Sequence, residues 1–347
     1  MRAIAGVFVV FMFWLALPDP AFAEADKVIS ESYLIDAKDP GIRLYVRNKR
    51  PESLKTFTPE RTLLYVHGAT YPAETAFDLT LDGVSWMDYI AQHGWDVYLV
   101  DIRGYGGSTR PSEMNEPSDA NGPIVNTEVA VRDVAAAVDH ILERRGLKRL
   151  NLLGWSWGTT IMASYAAQNN DKVDRLVLYA PLWLRTTPPV TAAASSGKLG
   201  AYRSVTVEAA RKRWLTGVAP EKQGELIPAG WFETWAQATF ATDAVGSSQT
   251  PPVLRAPNGV LSDVVNFWSA GKPLYDPAQI RAPVLLVHAE WDADTPAYMS
   301  QALFAKLANA RWKRYVVIGE GTHSVIMEKN RMQLFREVQA FLEETPP

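Results

Sequence analysis

The chain has 347 residues, no cysteine, and a formal charge of −3 from 35 Lys and Arg against 38 Asp and Glu. That composition excludes disulfides, a thiolate nucleophile and cysteine-ligated zinc or iron–sulfur sites, and it leaves no basic face for nucleic acid. With 47% apolar and 21% charged residues it reads as a folded globular chain, long enough for one large domain or two modest ones.

The N-terminus reads as a secretory signal. Met1 and Arg2 begin it, residues 4–17 are apolar and uncharged, Pro18-Asp19-Pro20 breaks the run, and Ala21-Phe22-Ala23 is an A-x-A cleavage site. Cleavage is expected after Ala23; the alternative is an uncleaved N-terminal anchor. No cysteine follows the site, which excludes lipoprotein anchoring, and no later segment carries about 18 consecutive apolar residues. The mature chain is expected to be periplasmic or secreted, without stable membrane anchoring.

Residues 32–36 and 42–47 alternate polar and apolar side chains about a turn at Asp39-Pro40-Gly41, the pattern of two antiparallel strands. Short, continuously apolar runs follow at 62–66, 96–100, 150–153, 176–179, 284–287 and 315–318, as in strands buried on both faces. Between them, residues 127–144 put Val131, Val134, Val138, Ile141 and Leu142 on one stripe that stops at Gly146. Residues 299–307 and 332–342 behave likewise. Strands alternating with helices predict an α/β fold with a mostly parallel, doubly wound sheet. From 184 to 276 no convincing buried strand appears. Helix-like pieces at 207–215 and 231–240 predict a helical insertion there.

Gly154-Trp155-Ser156-Trp157-Gly158 follows a predicted strand and precedes a helix-like stretch over 159–168. This is G-x-S-x-G in the strand–turn–helix setting that exposes a serine Oγ on a sharp turn, with the next amide, Trp157 N–H, directed at the developing oxyanion. A serine hydroxyl needs an adjacent base. Of five histidines, His67, His93, His140 and His288 read as loop, helix-end, helix-face and strand-end residues. His323, in the loop Gly319-Glu320-Gly321-Thr322-His323-Ser324, is free to reach over Ser156. The base needs a carboxylate to fix its tautomer, and both Asp292 and Asp294 follow the 284–287 strand.

In this order the motifs resemble the α/β-hydrolase superfamily. His67-Gly68 resembles its HG oxyanion loop, Asp101-Ile102-Arg103-Gly104-Tyr105-Gly106-Gly107-Ser108 its D-x-R-G-x-G-x-S stretch, and Gly154 to Gly158 its nucleophile elbow. Asp292 and Pro296 resemble its D-x-x-x-P ending, which favours Asp292 over Asp294. The resemblance implies an α/β-hydrolase core over 24–183 and 277–347, a substrate-selecting helical cap over 184–276, and Ala69 N–H as the second oxyanion donor beside Trp157. A side-chain donor from Thr70 is also conceivable. A serine at the elbow disfavours dehalogenase and epoxide-hydrolase chemistry and favours acyl transfer to water, with a small-molecule acyl substrate and no metal or organic cofactor.

Twelve tryptophans are unusual for this length. Trp155, Trp183, Trp231 and Trp268 are expected to wall the substrate pocket, with Trp157 beside them. The leading expectation is an exported carboxylesterase or lactonase. The alternatives are a proline-iminopeptidase-like aminopeptidase, whose substrate ammonium would need cap carboxylates such as Glu208 or Glu233, and a non-catalytic binding protein on the same scaffold. Natural substrate and oligomeric state are not legible.

Overall fold

The computed structural model describes residues 26–188 and 198–345; the expected signal and its cleavage site at Ala23 lie outside them. Among the described residues no helix is long and apolar enough to cross a membrane.

Eight strands form the central sheet. They are β1 (Val28–Asp36), β2 (Arg43–Pro51), β3 (Thr62–Val66), β4 (Asp96–Val100), β5 (Leu150–Trp155), β6 (Val173–Tyr179), β9 (Val284–Ala289) and β10 (Lys313–Ile318); β7 (Tyr202–Thr206) and β8 (Val253–Pro257) form a separate pair. The sheet order is β1-β2-β4-β3-β5-β6-β9-β10. All strands from β4 to β10 in that order pair in parallel, and the β1–β2 hairpin joins β4 antiparallel.

The apolar runs of β3 and β4 are fully buried because both faces are covered. Alternate side chains feed two cores. Leu64 and Val66 pack with the helices Thr127–Arg145, Trp157–Gln168 and Ala297–Lys306. Leu63 and Tyr65 pack with Trp86–Gln92 and Arg331–Glu343. The helix Thr127–Arg145 starts at Asn126, whose Oδ1 accepts from Val129 N–H at 3.1 Å, and it stops where the sequence predicts, at Gly146, in the left-handed conformation at φ 65°.

The D-x-R-G-x-G-x-S stretch is a structural brace. Asp101 accepts from Ala73 N–H at 2.7 Å and Gly107 N–H at 3.0 Å, while Arg103 pairs with buried Asp133. It holds the turn after β4 against the loop after β3.

The insertion between β6 and β9 corrects one expectation, since it is not helical throughout. It carries the helices Val207–Trp214 and Trp231–Ala241, but also the antiparallel β7–β8 pair, and every residue of β8 is buried. Arg255 sits in the middle of β8 and breaks its apolar pattern. It is buried nonetheless because its guanidinium meets the Asp243 carboxylate at 2.7 Å. A buried pair of this kind is tolerated when its remaining hydrogen bonds are met, and Met114 O supplies one at 2.6 Å.

Candidate active site

β3 and β5 are sheet neighbours whose following segments leave in different directions, β3 toward β4 and β5 toward β6. The crevice between their C-terminal ends is where open α/β sheets place ligands. Ser156 stands there, between β5 and the helix Trp157–Gln168, with φ 57° and ψ −120°. A non-glycine residue in that region costs of order 1–3 kcal/mol. The turn persists because its neighbours over-determine it. Ser156 N–H donates to Tyr179 O at 2.9 Å. A Cβ at Gly154 would lie 2.3 Å from Gly158 O, and one at Gly158 would lie 2.6 Å from Val66 O. Only glycines allow the strand and helix to approach so closely.

The His67 loop orients the second candidate oxyanion donor. His67 is fully buried, and burial holds its pKa down at about 4, so it is neutral. Its Nε2 lies 3.1 Å from Ile102 N–H and accepts from it, which leaves the proton on Nδ1 to donate to Gly68 O at 2.7 Å. In a trans peptide the N–H points opposite to the C=O. With Gly68 O turned to the imidazole, Ala69 N–H is directed away from it, and Ala69 borders both cavities at Ser156. Neither Ala69 N–H nor Trp157 N–H has a protein hydrogen-bond partner among the described residues.

His323 Nδ1 lies 2.8 Å from Asp292 Oδ2. Its backbone carbonyl accepts from Trp155 Nε1 at 3.0 Å and from the Tyr179 hydroxyl at 2.7 Å, which locks the loop over Ser156. Asp292 is further held by Thr295, through N–H at 2.8 Å and Oγ1 at 2.7 Å. Burial pushes the Asp292 pKa up, but His323 and Thr295 outweigh it and hold it below the usual carboxylate value. Burial pushes the His323 pKa down, but Asp292 and Asp294 outweigh it and raise it. Asp294 faces elsewhere, 3.0 Å from Arg213. Ser156 and His323 border one cavity without a direct hydrogen bond; such bonds are commonly long before substrate engages.

Two cavities meet at Ser156. One is walled by Tyr71, Trp155, Trp214 and His323; the other by Trp157, Leu182, Arg185 and Val264. Arg213 and Asp294 border both. Three of the expected pocket tryptophans require correction, because they wall neither cavity. Trp183 packs edge-on against Tyr275 at 5.2 Å, Trp231 lies under Arg331 at 4.7 Å, and Trp268 is buried in the core. Trp155 is at the site. Trp214 takes the wall position expected of the others, at the end of an amphipathic cap helix. The Thr70 hydroxyl accepts from Arg203 Nη2 at 2.5 Å and lies 3.4 Å from Arg213 Nη1.

Sequence reasoning also missed Glu328. Its fully buried carboxylate accepts from Trp214 Nε1 at 2.7 Å and from Thr322 N–H at 2.9 Å, tying the cap to the residue before His323. No local pattern marks it, since one partner lies on a distant element.

This arrangement is shared with a known family. The chain belongs to the α/β-hydrolase fold family, whose model matches residues 62–330, a stretch that includes Ser156, Asp292 and His323. Among curated proteins it is similar to human lipase member K, with 24% identity over 152 residues, 44% of this chain and 38% of that protein. It is also similar to a poly(3-hydroxyalkanoate) polymerase subunit of Haloferax mediterranei, with 29% identity over 168 residues, 47% of this chain and 31% of that protein. The chain thus spans well under half the length of these curated relatives. Among solved structures, a thermophilic esterase from Thermogutta terrifontis superposes with a TM-score of 0.57 at 17% identity, over 91% of this chain and 100% of that one. A hydrolase from Pseudomonas aeruginosa reaches 0.60 at 16% identity, over 90% and 98%. Likeness at these identities concerns the fold. The family model gives the chain its fold family, and the activity of these relatives is said of them alone.

Proposed function

We propose that the protein is an exported serine hydrolase that cleaves a carboxylic ester or lactone through an acyl-enzyme. The observation that carries this reading is the strained Ser156 beside a histidine whose Nδ1 is held 2.8 Å from a buried carboxylate. In the first half-reaction Ser156 Oγ attacks the carbonyl carbon and its proton passes to His323 Nε2. Ala69 and Trp157 N–H groups receive the charge on the carbonyl oxygen. The C–O bond to the alcohol then breaks as His323 returns the proton to the leaving oxygen. Water repeats the sequence on the acyl-enzyme, giving up a proton to His323 and releasing the acid as Ser156 regains its own.

The test is fluorophosphonate labelling of the full chain, with Ser156→Ala as control, beside a panel of esters, lactones and aminoacyl anilides. Labelling at Ser156 with ester turnover supports the reading; an unlabelled Ser156 would overturn it and favour a non-catalytic scaffold. The aminopeptidase alternative finds little support at this site. Glu208 and Glu233 are exposed, and the one carboxylate lining the two cavities among the described residues, Asp294 beside the triad acid, is paired with Arg213. Export rests on the signal-like residues 1–23 alone, and N-terminal sequencing of protein from its native host should find Glu24 first.

A further inference from the structure

Arg185 and Arg213 line a cavity at the candidate nucleophile, Arg203 bonds Thr70 nearby, and the carboxylates there do not balance the three. Asp292 is committed to His323 and Asp294 to Arg213. Arg185 and Arg203 have no carboxylate partner among the described residues; their hydrogen bonds go to neutral oxygens. Arg185 is only 7% exposed. Its Nη1 donates to Asp294 O at 2.8 Å and its Nε to Thr187 O at 3.3 Å, while Nη2 is buried with no partner among the described residues. A buried cation without a counter-ion is costly, and an unmet donor adds to that cost. Burial accordingly holds the Arg185 pKa down.

Arg185 is also placed where a ligand goes. It walls the second cavity together with Ser156, Leu182, Val260, Leu261 and Val264. The lining is thus mainly apolar, Arg213 and Asp294 in it pair with each other, and Arg185 is left as its charged group without a carboxylate partner among the described residues. Given the hydrolase reading above, we propose that this cavity receives an acyl unit whose short apolar chain ends in a carboxylate, with Arg185 Nη2 donating to that carboxylate. The substrate class is a monoester, or the matching lactone, of an aliphatic dicarboxylic acid. The guanidinium fork suits a planar carboxylate, and a charge-assisted bond in a desolvated site is among the stronger ones.

The experiment compares monoethyl adipate with ethyl hexanoate, which differ only in carboxylate against methyl at the chain end. Wild type should favour the charged ester by roughly 10- to 100-fold in kcat/KM, the range a hydrogen bond to a charged group provides. Arg185→Gln should bring that ratio near one, and Arg185→Lys should restore part of it. A wild-type preference for ethyl hexanoate, or an equal loss on both esters in Arg185→Gln, would overturn the proposal and leave Arg185 as a tie between cap and acid loop. Calorimetric titration of adipate needs neither turnover nor the variant. Binding to wild type that hexane-1,6-diol does not reproduce supports the site, and no binding of adipate overturns it. Failure of Ser156 labelling would count against the hydrolase reading, whereas failure of adipate binding would count against the anion site, so the two can fall separately.

Discussion

Asp294 donates its backbone N–H to Asp292 Oδ1 at 2.9 Å while its own carboxylate turns to Arg213. Two acids on one short loop therefore have different tasks. Asp292→Asn removes the charge that orients His323, and kcat should fall about 10³-fold or more. Asp294→Asn leaves its backbone bond intact, weakens the Arg213 contact and removes a charge that acts on His323 without a hydrogen bond to it, so its loss should be at least ten-fold smaller. Steady-state kinetics on one ester decides this, and a larger loss at Asp294 would refute the assignment.

Activity should depend on the protonation of His323, which must be neutral to accept the Ser156 proton. Asp292 and Asp294 raise its pKa in spite of burial, so the acid limb of kcat/KM should lie above the ordinary histidine value of about 6.5. The stability linkage runs the other way. The contribution of protonated His323 to folding is fully present below the unfolded value and is lost as pH rises through the raised folded one. Activity therefore grows over the window in which this contribution fades. A limb at or below pH 6 would contradict the geometry.

Legibility in the sequence followed the locality of each signal. β3 and β4 are apolar runs buried on both faces, and their bounds matched the runs themselves. The elbow at Ser156 is likewise local, because its glycines and strand–helix setting are contiguous. β8 was hidden because Arg255 is buried only through Asp243, on another element. The division of labour between Asp292 and Asp294 depends on which cation each meets across the fold. The pocket wall at Trp214 rather than Trp231 or Trp268 depends on how the cap docks, which composition does not encode.

Close approach at the elbow makes Gly154→Ala a test of strain. The new Cβ would sit 2.3 Å from Gly158 O, which is backbone and cannot swing aside. Strand and helix must separate, and overpacking of this kind costs about 1–3 kcal/mol. Gly68→Ala is different in kind, since its Cβ would lie 2.8 Å from Ser156 Cβ and 3.3 Å from Ser156 Oγ. It should lower the rate of fluorophosphonate labelling more than it lowers Tm. Equal effects of the two variants on Tm and labelling would argue that the loops simply relax.

Glu328 links cap and histidine loop through a carboxyl that burial pushes up to about 7, although Thr322 and Trp214 donate to it and pull the other way. Its folded value exceeds the unfolded one near 4.5. The stability associated with its neutral form is therefore fully present at acid pH and is lost as pH rises through about 7. Glu328→Gln removes that dependence, but its amide must set an NH₂ against either Trp214 Nε1–H or Thr322 N–H. Leaving one buried donor unmet costs about 1–3 kcal/mol. The variant should melt below wild type at pH 5, and the gap should narrow by pH 8, where wild type carries a buried charge that glutamine does not. kcat should fall as well, because Thr322 precedes His323 in the loop. Thermal melts at the two pH values decide the matter: a gap of the same size at both would mean that Glu328 does not ionise over this range and acts only as a fixed hydrogen-bond acceptor.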